Sequence, residues 1–358
     1  MSVVRQFTVA PDDEGIRLDR WFKRHLADTS FTTIAKWART GQLRVDGARA
    51  TPGDRLRAGQ QIRVPPAEPK ASAAPKRERP PLSDDQIDFI QQLVIHSDPA
   101  AIVINKPPGL ATQGGTKTRD HVDALLDGLR FESEGRPKLV HRLDKDTSGA
   151  LLIARNARSA AFFAKSFSSR TARKVYWALV VGVPAIEDGM IELPLAKQPG
   201  TGGEKMHVDE AEGQPARSRY RVIERAGNRA AWVELQPFTG RTHQLRVHMA
   251  AIGHPIVGDG KYGGQAAFLT GGVSRKMHLH ARRLRIDHPD GTPLDVRAEL
   301  PAHFAESMAL LGFDPELGDA LPLEEPRAPA AEVKKRRAAA QAKERRQARR
   351  GERRSRGR

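Results

Sequence analysis

The stretch LVHRLDKDTSG, residues 139–149, places five ionisable side chains in the six positions from 141 to 146. The run PKLV before the motif and the run ALLIA after it both have the composition of β-strands. Residues 147–149 are Thr, Ser and Gly, which favour a turn. Such a segment is either a solvated hairpin turn or a loop at a strand end that presents a carboxylate to a cleft.

The surrounding sequence predicts an α+β fold. Between residues 87 and 315 the chain contains the strand-like runs AIVIN, ALLIA, KVYWALVVG and AWVEL, and helical stretches interrupt them. Segments such as SRYRVIERAGNRAAWVEL are typical of hairpins with short turns that contain glycine. We therefore expect a mixed, largely antiparallel sheet with flanking helices.

The sequence pattern of residues 1–66 predicts a second, small α/β domain. Two short helices are indicated by apolar residues at helical spacing, namely Leu18, Trp21, Phe22 and Leu26, and then Phe31, Ile34, Ala35 and Ala38. Ser30 is a suitable N-cap for the second helix, and Gly41 lies just past its end. The runs QLRVDG and QQIRVP then alternate like short strands.

Two further segments lack the apolar residues needed for a core. Residues 67–86 are rich in proline and predict an extended linker. Residues 316–358 predict a basic tail, because from 327 onward the chain carries 14 Lys and Arg against 3 Glu, which is +11 of a net charge of +17. We expect this tail either to strengthen RNA association without reading sequence or to act as a dispensable solubilising segment.

The overall charge favours a polyanionic partner, since the 358 residues include 60 Lys and Arg against 43 Asp and Glu. No apolar run reaches about 18 residues and no secretory signal is recognisable, so we expect no membrane association and a cytoplasmic location. The chain has no Cys, which excludes disulfides, thiolate nucleophiles and Cys-ligated zinc. The histidines follow no zinc-site pattern, so we expect no metal.

Four motifs together resemble the RluA-type pseudouridine synthase family. They are NKPPGLA from Asn105, HRLDKDTSGALL from His141, RKVYWALVVG from Arg173 and GRTHQLRVHMAAIGHPIVGDGKYGG from Gly240. The resemblance covers about residues 93–300. The N-terminal domain resembles an S4 RNA-binding domain, and this combination is similar to the RluC or RluD branch, whose usual substrate is uridine in large-subunit ribosomal RNA. Gln113 departs from a position that is often His, which bears on substrate choice.

The resemblance implies roles for five residues. Asp144 matches the catalytic aspartate, Tyr176 the ring that stacks on the target base, and Arg142 the residue that helps displace the target nucleotide. A helix from near Thr239 would place Arg241 and Leu245 on one face, four residues apart. The family assigns Arg241 as the partner of Asp144, where an arginine favours the ionised carboxylate, and Leu245 as an apolar wall for the uracil. The reaction is redox-neutral and implies no cofactor.

As RNA-contacting residues we predict Arg17, Lys36, Arg39 and Lys106, of which Lys36 and Arg39 lie off the apolar helix stripe. The predicted function is isomerisation of specific uridines to pseudouridine in 23S rRNA by a monomer that requires no protein partner. Three alternatives stay open: the same reaction on tRNA, a non-catalytic RNA-binding ribosome-assembly factor, and a nucleoside or glycoside hydrolase that uses Asp144. The sequence also leaves open whether Asp144 attacks C6 of the base or C1′ of the sugar.

Overall fold

The computed structural model describes residues 5–66, 80–114, 120–198 and 205–319. The chain forms two compact units, residues 1–81 and 82–358. The predicted linker lies outside the described residues from 67 to 79, and the basic tail lies outside them from 320 onward. Two helices reach into these predicted segments: one begins at Asp84, inside the predicted linker, and another ends at Asp319, inside the predicted tail.

The N-terminal unit has the two helices that the apolar spacing predicts. Its elements are β1 (Arg5–Thr8), α1 (Leu18–His25), α2 (Phe31–Arg39), β2 (Arg44–Val45), β3 (Ala48–Arg49) and β4 (Gln61–Val64), and the antiparallel sheet has the order β1-β4-β2-β3. Ser30 caps α2 by accepting a hydrogen bond from the Thr33 N–H at 3.1 Å, and Gly41 has φ +71°. Strand β1 was not predicted, since it pairs with β4 far along the chain. The S4 assignment stays a prediction.

The C-terminal unit is built on one ten-stranded sheet. Its helices are α3 (Asp84–Gln92), α4 (Val122–Leu125), α5 (Ala157–Ser169), α6 (Gln244–Ala251), α7 (Gly260–Gly263), α8 (Ala302–Leu311) and α9 (Pro315–Asp319). Its strands are β5 (Val94–Ser97), β6 (Ala101–Lys106), β7 (Lys138–Leu139), β8 (Ser148–Ala154), β9 (Arg173–Val181), β10 (Asp188–Ile191), β11 (Leu195–Lys197), β12 (Met206–Val208), β13 (Ser218–Ala226), β14 (Ala230–Pro237), β15 (Leu279–Asp287) and β16 (Pro293–Arg297).

The strand order confirms a mixed, largely antiparallel sheet. The order is β10-β13-β14-β9-β15-β8-β6-β5, with β16 on β15 and β7 on β8, while β11 and β12 form a separate ribbon. Among the pairings of these strands, only β8 with β15 is parallel. Gly149 permits this contact, because it has φ +110° and a Cβ there would lie 2.3 Å from the Ala281 carbonyl oxygen. The glycine that ends the polar motif is therefore required where β8 pairs with β15.

Strand β8, SGALLIA, is buried along its whole length because helices cover both of its faces. Leu152 packs in a cluster with Phe163 of α5, whereas Leu151 packs in a cluster with Ile90 of α3. Further along the sheet, Leu245 and Met249 of α6 pack in a cluster with residues of β9 and β14. The loop that precedes β8 and the start of α6 consequently border the same cavity.

Candidate active site

The loop that carries Asp144 is held by hydrogen bonds from the segment that follows β6. Thr112 Oγ1 donates to the Leu143 carbonyl oxygen at 2.7 Å and accepts from the Leu143 N–H at 3.1 Å. The Lys145 carbonyl oxygen accepts from the Gly109 N–H at 2.9 Å and from the Lys106 ammonium at 3.0 Å. The residues on both sides of Asp144 are thus fixed, which restricts where its carboxylate can lie.

Lys106 is completely buried, so the prediction that it contacts RNA is wrong. Its Nζ donates to three carbonyl oxygens, those of Pro107, Leu110 and Lys145, at 2.9, 2.7 and 3.0 Å. Burial lowers the pKa of Lys106 to about 7, although Asp146 and Asp144 oppose this shift. Lys106 is a structural residue whose hydrogen bonds join the NKPPG turn to the Asp144 loop.

Arg246, rather than Arg241, is the arginine beside Asp144. Its Nη1 lies 3.5 Å from Asp144 Oδ2, while its Nε and Nη2 bind Asp259 at 2.7 and 2.9 Å. Burial opposes the charge on Arg246, but the hydrogen-bonded Asp259 carboxylate outweighs it and the pKa is raised. Arg246 therefore remains a cation next to Asp144.

The predicted pairing of Arg241 is wrong because α6 begins later than expected. The helix starts at Gln244, after His243 in a left-handed conformation with φ +53°, so Arg241 precedes the helix. Arg241 lines the same cavity, but its Nε donates to the Pro215 carbonyl oxygen at 3.3 Å. In the described part of the chain it forms no salt bridge with Asp144.

His243 is a second neighbour of Asp144, with its Nε2 3.8 Å from Oδ2. That distance is too long for a hydrogen bond. Burial lowers the pKa of His243, although the charge on Asp144 opposes the shift, and its Nδ1 contacts the Tyr262 hydroxyl at 2.6 Å. Within the described residues, both ionic neighbours approach Asp144 through Oδ2, which leaves Oδ1 uncommitted to a salt bridge.

The other predicted site residues lie around the same cavity, which has a volume of about 510 Å³ and is lined by Arg142, Asp144, Tyr176 and Leu245. This volume is within the range of roughly 300–1,000 Å³ that is usual for small-molecule sites. Leu245 is 7% exposed and supplies an apolar surface. Burial, and then the charge on Asp144, raise the pKa of Tyr176, so its hydroxyl stays protonated at neutral pH. Arg142 is exposed at the cavity.

His141 is a scaffold residue. Its Nε2 accepts a hydrogen bond from the Leu152 N–H at 2.8 Å, and its ring stacks on Phe167 at a centroid distance of 4.3 Å. Burial lowers its pKa to about 3, with a smaller contribution from the charge on Lys174, so the ring is neutral. The exposed predicted RNA contacts Lys36 and Arg39 belong to the N-terminal unit, where Arg17 pairs with Asp19 at 2.8 Å, and their role stays a prediction.

Arg246 and Asp259 are the site residues that sequence reasoning missed. A buried arginine inside the apolar pattern LRVHM was the available signal, because such a residue needs a carboxylate partner. Asp259 lies in the GDGKYGG segment, where it also caps the short helix α7. Over the described ranges, no group of three or more His, Cys, Asp or Glu side chains has a geometry that could hold a metal ion.

The chain is similar in sequence to known RNA pseudouridine synthases. The RNA pseudouridylate synthase family matches residues 100–251. The ribosomal large subunit pseudouridine synthase C of Haemophilus ducreyi is 32% identical over 312 residues, which cover 86% of this chain and 96% of that protein. The mitochondrial RNA pseudouridine synthase 4 of Arabidopsis thaliana is 37% identical over 336 residues, with coverages of 76% and 70%.

A solved structure, that of the human RNA pseudouridylate synthase domain containing 4, has a TM-score of 0.55 and 29% sequence identity to this chain. The match covers 63% of this chain and 95% of the human one. The chain belongs to the RNA pseudouridine synthase family, and the resemblance inferred from its motifs is confirmed. It is an RNA pseudouridine synthase, an isomerase that acts without a change of redox state.

The described helices contain none with the length and apolarity required of a membrane span.

Proposed function

We propose that the protein converts specific uridines of large-subunit ribosomal RNA to pseudouridine, with Asp144 as the reacting carboxylate. The substrate class is supported by relatives named ribosomal large subunit pseudouridine synthase C, which are 32–34% identical to this chain. The predicted S4-like domain and basic tail would supply additional RNA contacts. A cytoplasmic location and a monomeric state are further predictions.

The observation that carries the proposal is a single carboxylate in the cavity. Of the residues that line it, Asp144 alone is acidic, and Arg246 stands beside it. A hydrolase of the usual glycosidase type needs two carboxylates about 5–9.5 Å apart. The cavity supplies one, which suits a reaction that needs an anion beside the ribose and base rather than an acid and base pair.

The chemistry follows from the arrangement of the side chains. The N1–C1′ bond of uridine breaks, the uracil turns, a C5–C1′ bond forms, the C5 proton leaves and N1 gains a proton. Arg246 Nη1 lies 3.5 Å from Asp144 Oδ2. In this proposal the other oxygen, Oδ1, attacks either C1′ or C6. Leu245 and the neutral Tyr176 ring provide apolar surfaces that keep the freed uracil in place.

The target nucleotide has to leave its stack to reach this site. Enzymes that act on a base in this way extrude the nucleotide into a pocket, at a cost of a few kcal/mol for unstacking. Arg142 is exposed at the cavity two residues before Asp144, which supports the proposal that it occupies or braces the vacated position. This assigns to Arg142 a role in displacement rather than in bond making.

The test is a map of pseudouridine in total RNA from cells that lack the gene, complemented with wild type, Asp144→Asn or Asp146→Asn. Asp146 is exposed two residues away and makes a matched control. We expect specific large-subunit sites to vanish and to return with wild type and Asp146→Asn only. Loss of tRNA sites instead would indicate the alternative substrate. Equal restoration by Asp144→Asn would mean that Asp144 is not the reacting group.

A further inference from the structure

The cavity that holds Asp144 also has a cationic wall with no role in the reaction steps above. Lys174 of β9 and Arg170 at the end of α5 both line it. Lys174 lies two residues before Tyr176 on the same strand, so the two side chains project to the same side of the sheet. Lys174, Arg170 and the ring of Tyr176 therefore face the same cavity.

Lys174 is partly buried and lacks a compensating anion. In the described part of the chain its ammonium has no salt bridge and no hydrogen bond. The charged neighbour that acts on it is Arg170, which carries the same charge. The nearby His141 ring is neutral and offers no compensating charge. Burial, followed by the charge on Arg170, lowers the pKa of Lys174 to about 8, so the ammonium is protonated at neutral pH. A partly buried cation without a partner is unfavourable unless an anion arrives.

Arg170 is a second observation that points to an anion site beside Lys174. It ends α5 in the left-handed conformation, with φ +64°, at a position where glycine is the usual residue. An arginine there carries backbone strain that glycine would avoid. In the described ranges its side chain, too, forms no salt bridge, and it lines the cavity beside Lys174.

We propose that Lys174 and Arg170 form an anion subsite that binds a phosphodiester group of the RNA next to the extruded uridine. This rests on the proposed reaction on RNA. A phosphodiester is the anion that accompanies every nucleotide, and Lys and Arg are its usual protein partners. The subsite would fix the backbone of the extruded nucleotide while Tyr176 and Leu245 hold its base.

The test uses the shortest ribosomal RNA stem-loop that wild-type protein modifies, with Lys174→Met, Lys174→Arg, Arg170→Gly and the control Lys165→Met. Lys165 is exposed on α5 and does not line the cavity. We expect Lys174→Met to raise KM about tenfold or more and to leave kcat within about threefold. The slope of log Kd against log salt should decrease by about one, and Lys174→Arg should restore both values.

The Arg170→Gly variant distinguishes an effect on RNA binding from an effect on protein stability. Because glycine suits the left-handed conformation, we expect an unchanged or higher Tm together with weaker RNA binding. If Arg170→Gly binds RNA more weakly only because its Tm is lower, the result would contradict the subsite.

Neutral methylphosphonate linkages are introduced one at a time around the target uridine. They identify the phosphodiester group that Lys174 contacts. One linkage should weaken binding to wild type and to Lys165→Met but not to Lys174→Met. If every linkage affects Lys174→Met and wild type equally, or if Lys174→Met behaves like Lys165→Met, the subsite is refuted. If wild type modifies no ribosomal stem-loop, the proposed function fails instead, and the two failures are distinct.

Discussion

The Asp259 carboxylate holds the Arg246 guanidinium by two hydrogen bonds, from Nε to Oδ2 at 2.7 Å and from Nη2 to Oδ1 at 2.9 Å. Asp259 is 2% exposed, so solvent does not compete for this bidentate contact. The third nitrogen, Nη1, is then directed towards Asp144 at 3.5 Å. Asp259 thus positions the cation that accompanies the reacting carboxylate.

Asp259→Asn should lower kcat about tenfold while KM changes little, because the variant leaves Arg246 in place but loosely held. The matched control is Asp295→Asn, which breaks a bidentate pair with Arg283 on the exposed β15–β16 hairpin, where both contacts are 2.7 Å. Single-turnover rates and thermal melts compare the two variants. A similar loss of rate in both would mean that Asp259 acts only through general stability.

Arg246→Lys and Arg241→Lys distinguish the observed pairing with Asp144 from the pairing that the family resemblance implied. Lysine keeps the charge but cannot form the two-pronged contact with Asp259, so Arg246→Lys should reduce kcat by roughly tenfold or more. Arg241→Lys should stay within about threefold of wild type, since its Nε contacts only a backbone carbonyl. Steady-state kinetics on unmodified ribosomal RNA decide between them. A larger defect in Arg241→Lys would restore the assignment made from sequence.

Lys106→Met should destabilise the protein without weakening RNA binding. The substitution leaves the carbonyl oxygens of Pro107 and Leu110 without a donor, whereas that of Lys145 keeps the Gly109 N–H. Each buried polar group left unsatisfied costs about 1–3 kcal/mol. Chemical denaturation measures the loss, with the exposed Lys138→Met as control. Unchanged stability combined with weaker RNA affinity would place Lys106 at the RNA surface after all.

The sequence predicted the parts of the fold and site that depend on local pattern. Helices α1 and α2 followed from their apolar spacing, the cap at Ser30 from its hydroxyl, and the placement of Asp144 at a strand end from the polar run between apolar ones. These features need only a few neighbouring residues.

The remaining features depend on contacts between distant parts of the chain. Ser148 and His280 are 132 residues apart, yet the parallel pairing of β8 with β15 brings their side chains to 2.9 Å. The pairing of Arg246 with Asp144 depends on where α6 starts, which a left-handed His243 decides. Lys106 looked like a surface lysine because its burial results from loops that fold over it.

Acidification from pH 6.5 towards pH 4 should destabilise the fold. Burial lowers the pKa of His141 to about 3 and those of His278 and His280 to about 4, so the unfolded chain binds more protons than the native one in this window. Stability is present above the unfolded pKa of about 6.5 and is lost as pH falls towards the folded values. Burial also lowers the pKa values of His243, His248 and His303, which act in the same direction. Glu234, whose pKa burial raises, acts in the opposite direction but is a single group.

Thermal melts between pH 7.5 and pH 4.5 measure this effect, and His280→Gln should flatten the curve because it removes one of these groups. A Tm that stays constant across this range would show that these histidines are protonated in the native state. The depressed pKa values of Asp98, Asp127 and Asp188 lie below 3.8, so those carboxylates titrate outside the window.

The most direct test of the account is the release of tritium from ribosomal RNA labelled at C5 of uridine, with purified wild type and Asp144→Asn. Loss of the C5 hydrogen accompanies each turnover, so the released tritium counts the reaction itself. We predict release by wild type and a decrease of at least about a thousandfold for Asp144→Asn, with RNA affinity retained. Tritium release by Asp144→Asn at a rate near that of wild type would contradict the assignment of Asp144.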